Sequence, residues 1–495
     1  MMARYHLKNT LYLGQVIFLC IKSGLAFSAL SLSLSKNSIK KSKIRGDIGR
    51  ELASVLPKLG PVFIKLGQVL STRGDLLGEE VASALFSLQD RLPPFPIREV
   101  EKVFESEFDS KICEIFDSFD VTSVASASVA QVHKAITKNG DEVAVKILRP
   151  KIEKAYVDNL DFIEFCASLL NIFLQQKKKV KIKEVIDTLK KSSEIELDLR
   201  LEGAAAEKIR ENCKKDLDVY IPKIHWQLTS KSILTSEWID GIPINQKDKL
   251  IDANLDLDAI TKKLAITFFN QACRDGFFHA DIHPGNIIIK KNGDIALVDF
   301  GIVCYLNFEL KTFVAEVVHG FLNKDYSKIK DIHFQAGFVP SGQSEYKFEL
   351  ACISIGEPVV GKSLEDISLS RLLKHLFEVS RNFSVKINPE LLLLHKTVLT
   401  IEGTGHYLNP KINMWNLASP WIKNWAKKNL GARGEIAKFN YQKKQFFGKL
   451  KRLIDGEIDG EHNIVNKKVT YKLPVSIVVL GLVLLIGMAL GRILS

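Results

Sequence analysis

The run His279–Gly301, HADIHPGNIIIKKNGDIALVDFG, constrains the fold more tightly than any other stretch of this chain. Asn292-Gly293 is a strong hairpin signal, and it separates two β-rich runs, Ile287–Ile289 and Ile295–Val298. A two-residue loop there sets a register in which Asn286 lies directly opposite Asp299. Opposed Cβ atoms on one face of a sheet are about 4.5–5.5 Å apart, so an amide oxygen and a carboxylate in that register can share one hard cation. Magnesium accepts such ligands and leaves its other positions to water and phosphate oxygens. The plain alternative is a hairpin whose polar ends face solvent.

Asp281 precedes Asn286 with four residues between them, and Asp299-Phe300-Gly301 follows. That order and spacing match the kinase catalytic loop, where the Asp handles the attacking group and the Asn holds a metal, followed by the D-F-G metal carboxylate. The ordered set predicts a nucleotide–metal complex as ligand. A second Asn-Gly signal, Asn139-Gly140, separates Val129–Ile136 from Glu142–Leu148. Its two-residue register places Lys146 opposite His133. Val143–Ile147, V-A-V-K-I, matches the strand that carries a kinase's phosphate-binding lysine. A lysine in an apolar strand is costly unless its ammonium meets an anion. Ahead of it, where a glycine-rich loop is expected, stands Ala125-Ser126-Ala127-Ser128-Val129. Such a loop can still offer amides and hydroxyls to phosphate, but its Cβ atoms limit how closely the backbone approaches. No Walker A motif occurs, which excludes a P-loop ATPase.

At 495 residues the chain exceeds one typical domain, and 46% hydrophobic with 25% charged residues is ordinary for a folded protein. The net charge of +12 and pI of 9.1 point to an anionic partner, nucleic acid or membrane surface. Seven scattered cysteines without C-x-x-C argue against a zinc site or a disulfide framework and fit a reducing compartment.

Leu11–Ile21 is an apolar run read as a buried or membrane-surface helix, with a signal anchor as the alternative. The basic stretch Lys36–Arg50 reads as a solvated or lipid-facing link, and Leu52–Leu88 as a helical segment in which Lys65 and Gln68 share a face. Lys151–Ile186 reads as helix, and so does Glu194–Lys208, with Asp198 and Glu202 on one face. Ile233–Ile239 reads as a strand entering a hinge, where backbone groups of Glu237–Ile239 can bond adenine. From Leu250 onward the pattern is helical apart from the catalytic run.

Trp421–Arg452 carries ten Lys or Arg against one acid, Glu435, with six aromatics interleaved, which suits an anionic bilayer surface. Leu473–Leu490 is uncharged and would span about 27 Å as a helix, close to the ~30 Å hydrocarbon core. Lys467, Lys468 and Lys472 precede it and only Arg492 follows, which keeps the large domain cytoplasmic. That anchor decides for membrane and against nucleic acid.

These residues resemble the UbiB family of atypical, protein-kinase-like proteins tied to ubiquinone biosynthesis. The resemblance covers roughly Leu52 to Trp415 and the C-terminal anchor. It rests on K-x-G-Q at Lys65–Gln68, the loop Ala125–Ser128 with Gln131-Val132-His133, E-x-D at Glu196–Asp198, and His279–Asn286. It implies ATP and Mg2+ as cofactors, conditional ATPase activity, and a K-x-G-Q helix over the nucleotide in which Lys65 and Gln68 meet Glu196 and Asp198. It further implies Asp281 as acid–base residue, Glu202 as helix partner of Lys146, and Asn286 with Asp299 as metal ligands. Relatives often carry two membrane helices at the C-terminus, whereas this chain has length for one.

The expected architecture is therefore α+β and two-lobed, with a small β-sheet N-lobe and a helical C-lobe. The segments are an apolar helix and link (1–50), a K-x-G-Q helical extension (51–120), the N-lobe (121–240) and the C-lobe (241–420). A basic membrane-surface segment (421–470) and a transmembrane anchor (473–495) complete the chain. The expected function is a membrane-anchored atypical kinase or ATPase at the inner (cytoplasmic) membrane, acting at an early polyprenyl-phenol hydroxylation stage. Its partners would be anionic lipid and isoprenoid quinone precursors or their biosynthetic enzymes. Two rivals stay open: a small-molecule phosphotransferase of the aminoglycoside- or choline-kinase type, and a nucleotide-switched membrane scaffold.

Overall fold

The computed structural model describes residues 38–427 except 72–76, 78, 86–87, 89–92, 174–182, 184, 191–193, 341, 361–382, 384, 386–387, 411–419, 422 and 426. The apolar run Leu11–Ile21, the greater part of the basic segment 421–470 and the anchor at 473–495 lie outside the described residues. Among the described residues no helix is long and apolar enough to cross a membrane. Two compact units emerge. The first takes the described chain up to Leu201 plus His225–Glu237, and the second takes Glu202–Ile224 and the described chain from Trp238 onward.

The first unit opens on helices. α1 (Ser38–Leu59) begins inside the stretch expected to be a link, because Ile48, Val55 and Leu56 recur at helical spacing and are buried. The segment expected to run on from Leu52 is broken at Gly60, after which α2 (Pro61–Ser71) carries Lys65-Leu66-Gly67-Gln68. A methyl group added at Gly67 would stand 2.3 Å from Leu88 Cδ1 and 2.7 Å from Leu56 Cδ1. The glycine of this motif thus leaves space that neighbouring leucines fill. α3 (Glu79–Leu85) buries Val81 and Leu85, and α4 (Ile97–Phe108) follows the proline run.

The sheet of this unit comprises β1 (Phe116–Phe119), β2 (Ala125–Ser126), β3 (Ala130–Thr137) and β4 (Glu142–Leu148). β5 (Val219–Tyr220) belongs to the second unit, and β6 (Ile233–Glu237) returns to pair with β4. The order is β1-β3-β4-β6, with β2 on β3. Period-two alternation sends Val143, Val145 and Ile147 to a face packed on Val100, Phe104, Phe116 and Ile233. Phe104 meets Phe116 and Phe119 edge-on at 5.8 and 5.9 Å. Ala144 and Lys146 therefore fall on the opposite face and are half-buried.

Both hairpins differ from expectation by one residue. Thr137 N–H bonds to Asp141 O and Gly140 N–H to Thr137 O, so the loop has three residues, with Gly140 at φ +85°. Lys146 consequently pairs with Val132, and His133 with Val145. In the second hairpin Lys290 N–H bonds to Asp294 O and Gly293 sits at φ +79°. A type I turn completed by a left-handed glycine closes a strand pair with one more loop residue than a two-residue turn. Asn286 then faces Val298, whose N–H it accepts at 3.0 Å, and not Asp299.

α5 (Ile152–Phe173) follows the sheet hairpin. The helix expected across Glu194–Lys208 divides. Asp198 is non-helical and α6 runs over Leu199–Asn212, so Asp198 and Glu202 are not successive turns of one helix. Asp198 Oδ1 accepts the Arg200 N–H at 3.1 Å, which makes it the cap that ends the preceding turn and starts α6.

In the second unit β7 (Ile242–Pro243), β9 (Ile287–Ile289) and β10 (Ile295–Leu297) are antiparallel neighbours, and β5 adds in parallel to β10. β8 (Phe277–His279) pairs with β11 (Val303–Tyr305). Around them lie α7 (Leu257–Phe269), capped by Asp256, then α8 (Phe308–Leu322), α9 (Tyr326–Gln335), α10 (Glu345–Val360) and α11 (Pro389–Leu408). The final turn after α7 is a π-helix, Asn270–Asp275. Two tryptophans expected at a bilayer surface are instead packed here. Trp421 stacks on Phe269 at 5.7 Å and donates its Nε1–H to Asn270, while Trp425 is buried against Ala315. Burying an indole with a hydrogen-bond partner outweighs leaving it in water.

His333 of α9 is buried between Phe313 and Phe348, with Nδ1 2.7 Å from Ile329 O. Burial pushes its pKa down to about 4, so the folded protein holds it neutral while the unfolded chain protonates near 6.5. The depressed folded value means this stabilisation is complete above pH 6.5 and is lost as pH falls toward 4. Denaturant unfolding of the second unit should lose about 3 kcal/mol from this group between pH 7 and pH 4. His333→Phe should flatten that slope, whatever its effect on stability at pH 7.

Candidate functional site

In the second unit the chemistry-bearing run is built around His279. The imidazole is fully buried; its Nε2 lies 3.1 Å from Val298 O, and its Nδ1 accepts the Asp281 N–H at 3.1 Å. These bonds specify a neutral ring protonated on Nε2, and burial accordingly lowers its pKa. Phe300 is buried against the ring at 5.2 Å. One imidazole thus ties the backbone ahead of Asp281 to the strand end ahead of Asp299.

Asn286 donates its Nδ2–H to Asp281 O at 3.1 Å. That bond fixes which way the amide faces and leaves its carbonyl oxygen, the atom a hard cation takes, on the other side. Asp299 is exposed and adopts φ +61°, a left-handed backbone unusual for a non-glycine residue. The kink ends the strand alternation that would otherwise send its side chain to the face dictated by β10. Backbone outliers of this kind cluster at functional sites. A Cβ placed on Gly301 would stand 3.4 Å from Asp299 Oδ1 and 3.7 Å from Glu202 Oε2, so the two carboxylates flank this glycine. Glu202 is buried near the start of α6. An amide oxygen and an exposed carboxylate are donor types magnesium takes, and the chemistry of these residues fits that ion. Among the described residues no cluster of three or more His, Cys, Asp or Glu forms a denser metal site.

Sequence reasoning missed the partner of Asp281. Lys396 of α11 reaches its Oδ1 at 2.8 Å, from 115 residues away. The Thr397 hydroxyl is 3.2 Å from Ala280 O, the carbonyl just before Asp281. A lysine soon after a run of four leucines, L-L-L-L-H-K-T-V-L, was the available signal.

In the first unit, Lys146 stands half-buried on β4 between Val132 and Leu234 of its neighbours. The glycine-free loop is held by Arg149, whose Nη2 lies 2.7 Å from Pro93 O, 2.9 Å from Ala127 O and 3.1 Å from Ser126 Oγ. Ala127 N–H bonds to Ala130 O at 2.7 Å, Ala125 opens β2, and Ser128 and Val129 are buried. The guanidinium fork gives this loop a rigidity that a glycine-rich loop lacks. Gln131 and His133 are structural: Gln131 bonds both backbone groups of Phe95 and the His133 ring, which stacks on Phe119 at 4.9 Å. Glu237 ends β6 opposite Val143. Ile239, already in the second unit, is buried.

Lys65 and Glu196 form an ion pair with side chains only 10% and 12% exposed. Gln68, one turn on, is half-buried. Asp198 is gripped by Arg200 through two bonds of 2.9 and 2.7 Å, and that fork holds its carboxyl below the usual carboxylate range.

A lysine-bearing antiparallel sheet in one unit, and in the other an Asp–Asn loop and D-F-G among helices, define a protein-kinase-like fold of an atypical, glycine-poor kind. Residues 87–333 match the ABC1 atypical kinase-like domain, and residues 352–413 the UbiB helical domain. A Marinobacter nauticus protein named "Probable protein kinase UbiB" is 38% identical over 392 residues, covering 78% of this chain and 72% of its own. A namesake from Pseudomonas aeruginosa is 36% identical over 420 residues, covering 84% and 79%. A solved structure, Rv3197 of Mycobacterium tuberculosis in complex with erythromycin, shares the fold with a TM-score of 0.51 at 24% identity, covering 78% of this chain and 97% of that one. The chain belongs to the UbiB family.

The Lys65–Glu196 pair gives a direct test of the first unit. Removing one partner of a buried pair leaves an uncompensated charge and costs about 3–5 kcal/mol. Lys65→Ala and Glu196→Ala should each destabilise by that order, and the double variant by clearly less than their sum, in a denaturation cycle.

Proposed function

We propose that this chain binds Mg-ATP and turns over its terminal phosphoryl group as a membrane-anchored atypical kinase or ATPase supporting ubiquinone biosynthesis, at an early polyprenyl-phenol hydroxylation stage. The observation that carries this reading is the Asn286 Nδ2–H bond to Asp281 O, which leaves an amide oxygen turned out for a cation beside the acid–base residue. Bound magnesium supplies charge neutralisation on the phosphates.

The chain's own residues take these roles. Asn286 and Asp299 hold the metal, and Asp281 accepts the proton of the attacking hydroxyl or water. Lys146 binds phosphate oxygens, and the burial of Glu202 suits a carboxylate whose work is to orient a cation. The Ala125–Val129 loop offers backbone amides, and Glu237 and Ile239 offer backbone groups to adenine. The buried Lys65–Glu196 pair, with Gln68 and Asp198 beside it in sequence, acts as a gate that keeps protein substrates out.

Residues 473–490 anchor the chain in the inner membrane with the catalytic part on the cytoplasmic side, and the basic segment beyond Lys427 lies on anionic lipid. Isoprenoid quinone precursors or their biosynthetic enzymes are the partners this location favours.

Purified protein should hydrolyse ATP in a magnesium-dependent way, faster with anionic vesicles or a phenolic quinone precursor. Asp299→Asn should lower turnover on the order of 10²-fold or more. Asp294→Asn, in the same hairpin but ion-paired to Lys263, should leave it unchanged. Cells carrying Asp299→Asn should accumulate an early polyprenyl-phenol. Equal turnover by Asp299→Asn and the unaltered protein would overturn this reading.

A further inference from the structure

Asp281 and Lys396 lie in segments that match two different family models, the kinase-like domain at residues 87–333 and the helical domain at 352–413. The ammonium of Lys396 nevertheless sits 2.8 Å from Asp281 Oδ1. This contact is not an isolated brush of two surface side chains. α11 is fastened to the same unit beside Lys396 and at its C-terminal end: the Thr397 hydroxyl lies 3.2 Å from Ala280 O and the Tyr407 hydroxyl donates to Asn245 O at 2.9 Å. Lys247 donates to Tyr407 O at 3.1 Å, and Asn409 to Asp258 Oδ1 at 2.6 Å. Bonds at Thr397, at Tyr407 and at the C-cap Asn409 hold the helix against the unit, so the position of Lys396 over the carboxylate is set by the fold.

We infer that Lys396 is the positioning residue for Asp281, so that the helical domain completes the catalytic loop instead of decorating it. The inference rests on the phosphoryl-transfer reading above. A carboxylate that must take a proton at one oxygen works best when the other is held, because free rotation of the group loses the near-attack geometry. Lys396 holds Oδ1, Asn286 and His279 fix the backbone of Asp281 on either side of its carboxylate, and Oδ2 is left to the attacking water. In hydrolysis that water forms a bond to the γ-phosphorus while the bond from phosphorus to the β-phosphate oxygen breaks. ADP leaves with the electron pair, and the water proton passes to Asp281. The lysine charge beside the carboxylate also relieves its repulsion from the phosphates.

Stability does not account for the pair. Its side chains are 30% and 34% exposed, and ion pairs in that setting contribute little to folding. Lys396→Met and Lys396→Gln should therefore melt close to the unaltered protein.

The experiment is steady-state ATP hydrolysis with magnesium, together with nucleotide affinity measured separately by titration with a non-hydrolysable ATP analogue. Lys396→Met and Lys396→Gln should lower kcat roughly tenfold or more. KM and analogue affinity should stay within about twofold, since the lysine acts on the attacking side and not on binding. Lys396→Arg, which restores a cation to the same carboxylate, should recover most of the lost rate. Unchanged kcat in both neutral variants, or a loss confined to KM, overturns the inference while leaving the nucleotide reading intact. Absence of magnesium-dependent ATP turnover in the unaltered protein overturns both.

Discussion

A single imidazole that water cannot reach holds the chemistry of this protein in place. His279 donates to Val298 O and accepts from Asp281 N, so one ring spans the end of β10 and the start of the loop that carries Asp281. Burial keeps the ring neutral, and only a neutral ring can donate at one nitrogen and accept at the other. Phe300 closes over it, which links the D-F-G run to the same support. Asn286 adds a second tie by bonding Asp281 O. Asp299 can stand exposed because the imidazole and the phenyl ring beside its backbone are buried.

The sheet unit follows the same logic with different parts. Val143, Val145 and Ile147 commit one face of β4 to the aromatic core under α4, and that commitment leaves Lys146 on the other face. Arg149 pins a loop that lacks glycine, and Gln131 fastens the proline run through Phe95. The Lys65–Glu196 pair joins the K-x-G-Q helix to the turn before α6, where both charges are largely shielded from water. Neighbouring acids in sequence take different partners: Glu196 meets Lys65, whereas Asp198 is turned by Arg200 into a cap.

Element identity was readable because it is local. The runs around Asn139-Gly140 and Asn292-Gly293 formed hairpins, Glu142–Leu148 and Ile287–Ile289 are strands as expected, and the D-F-G and Asp–Asn spacing already pointed to a kinase-like chain. Register was less accessible. Asn-Gly is compatible with a two-residue loop and with a three-residue loop ending in a left-handed glycine, and the difference of one residue moved the partner of Asn286 from Asp299 to Val298. The left-handed backbone of Asp299 then redirects that side chain by means no alternation rule contains. Trp421 and Trp425 misled for a related reason, since an interfacial aromatic and a packed one have the same sequence signature.

What the sequence determined by itself was the inventory: a kinase-like order of elements and membership of a family marked by K-x-G-Q. These properties live within windows of a few residues, where hydrophobic period and turn chemistry act. The tertiary structure alone showed that Lys396 meets Asp281 across 115 residues. The resemblance had already set Lys65 against the E-x-D acids, and the fold gave it Glu196 while turning Asp198 to Arg200. Nothing near Lys396 in the chain names its partner, because a contact of that kind forms only after packing has fixed the helices that carry it.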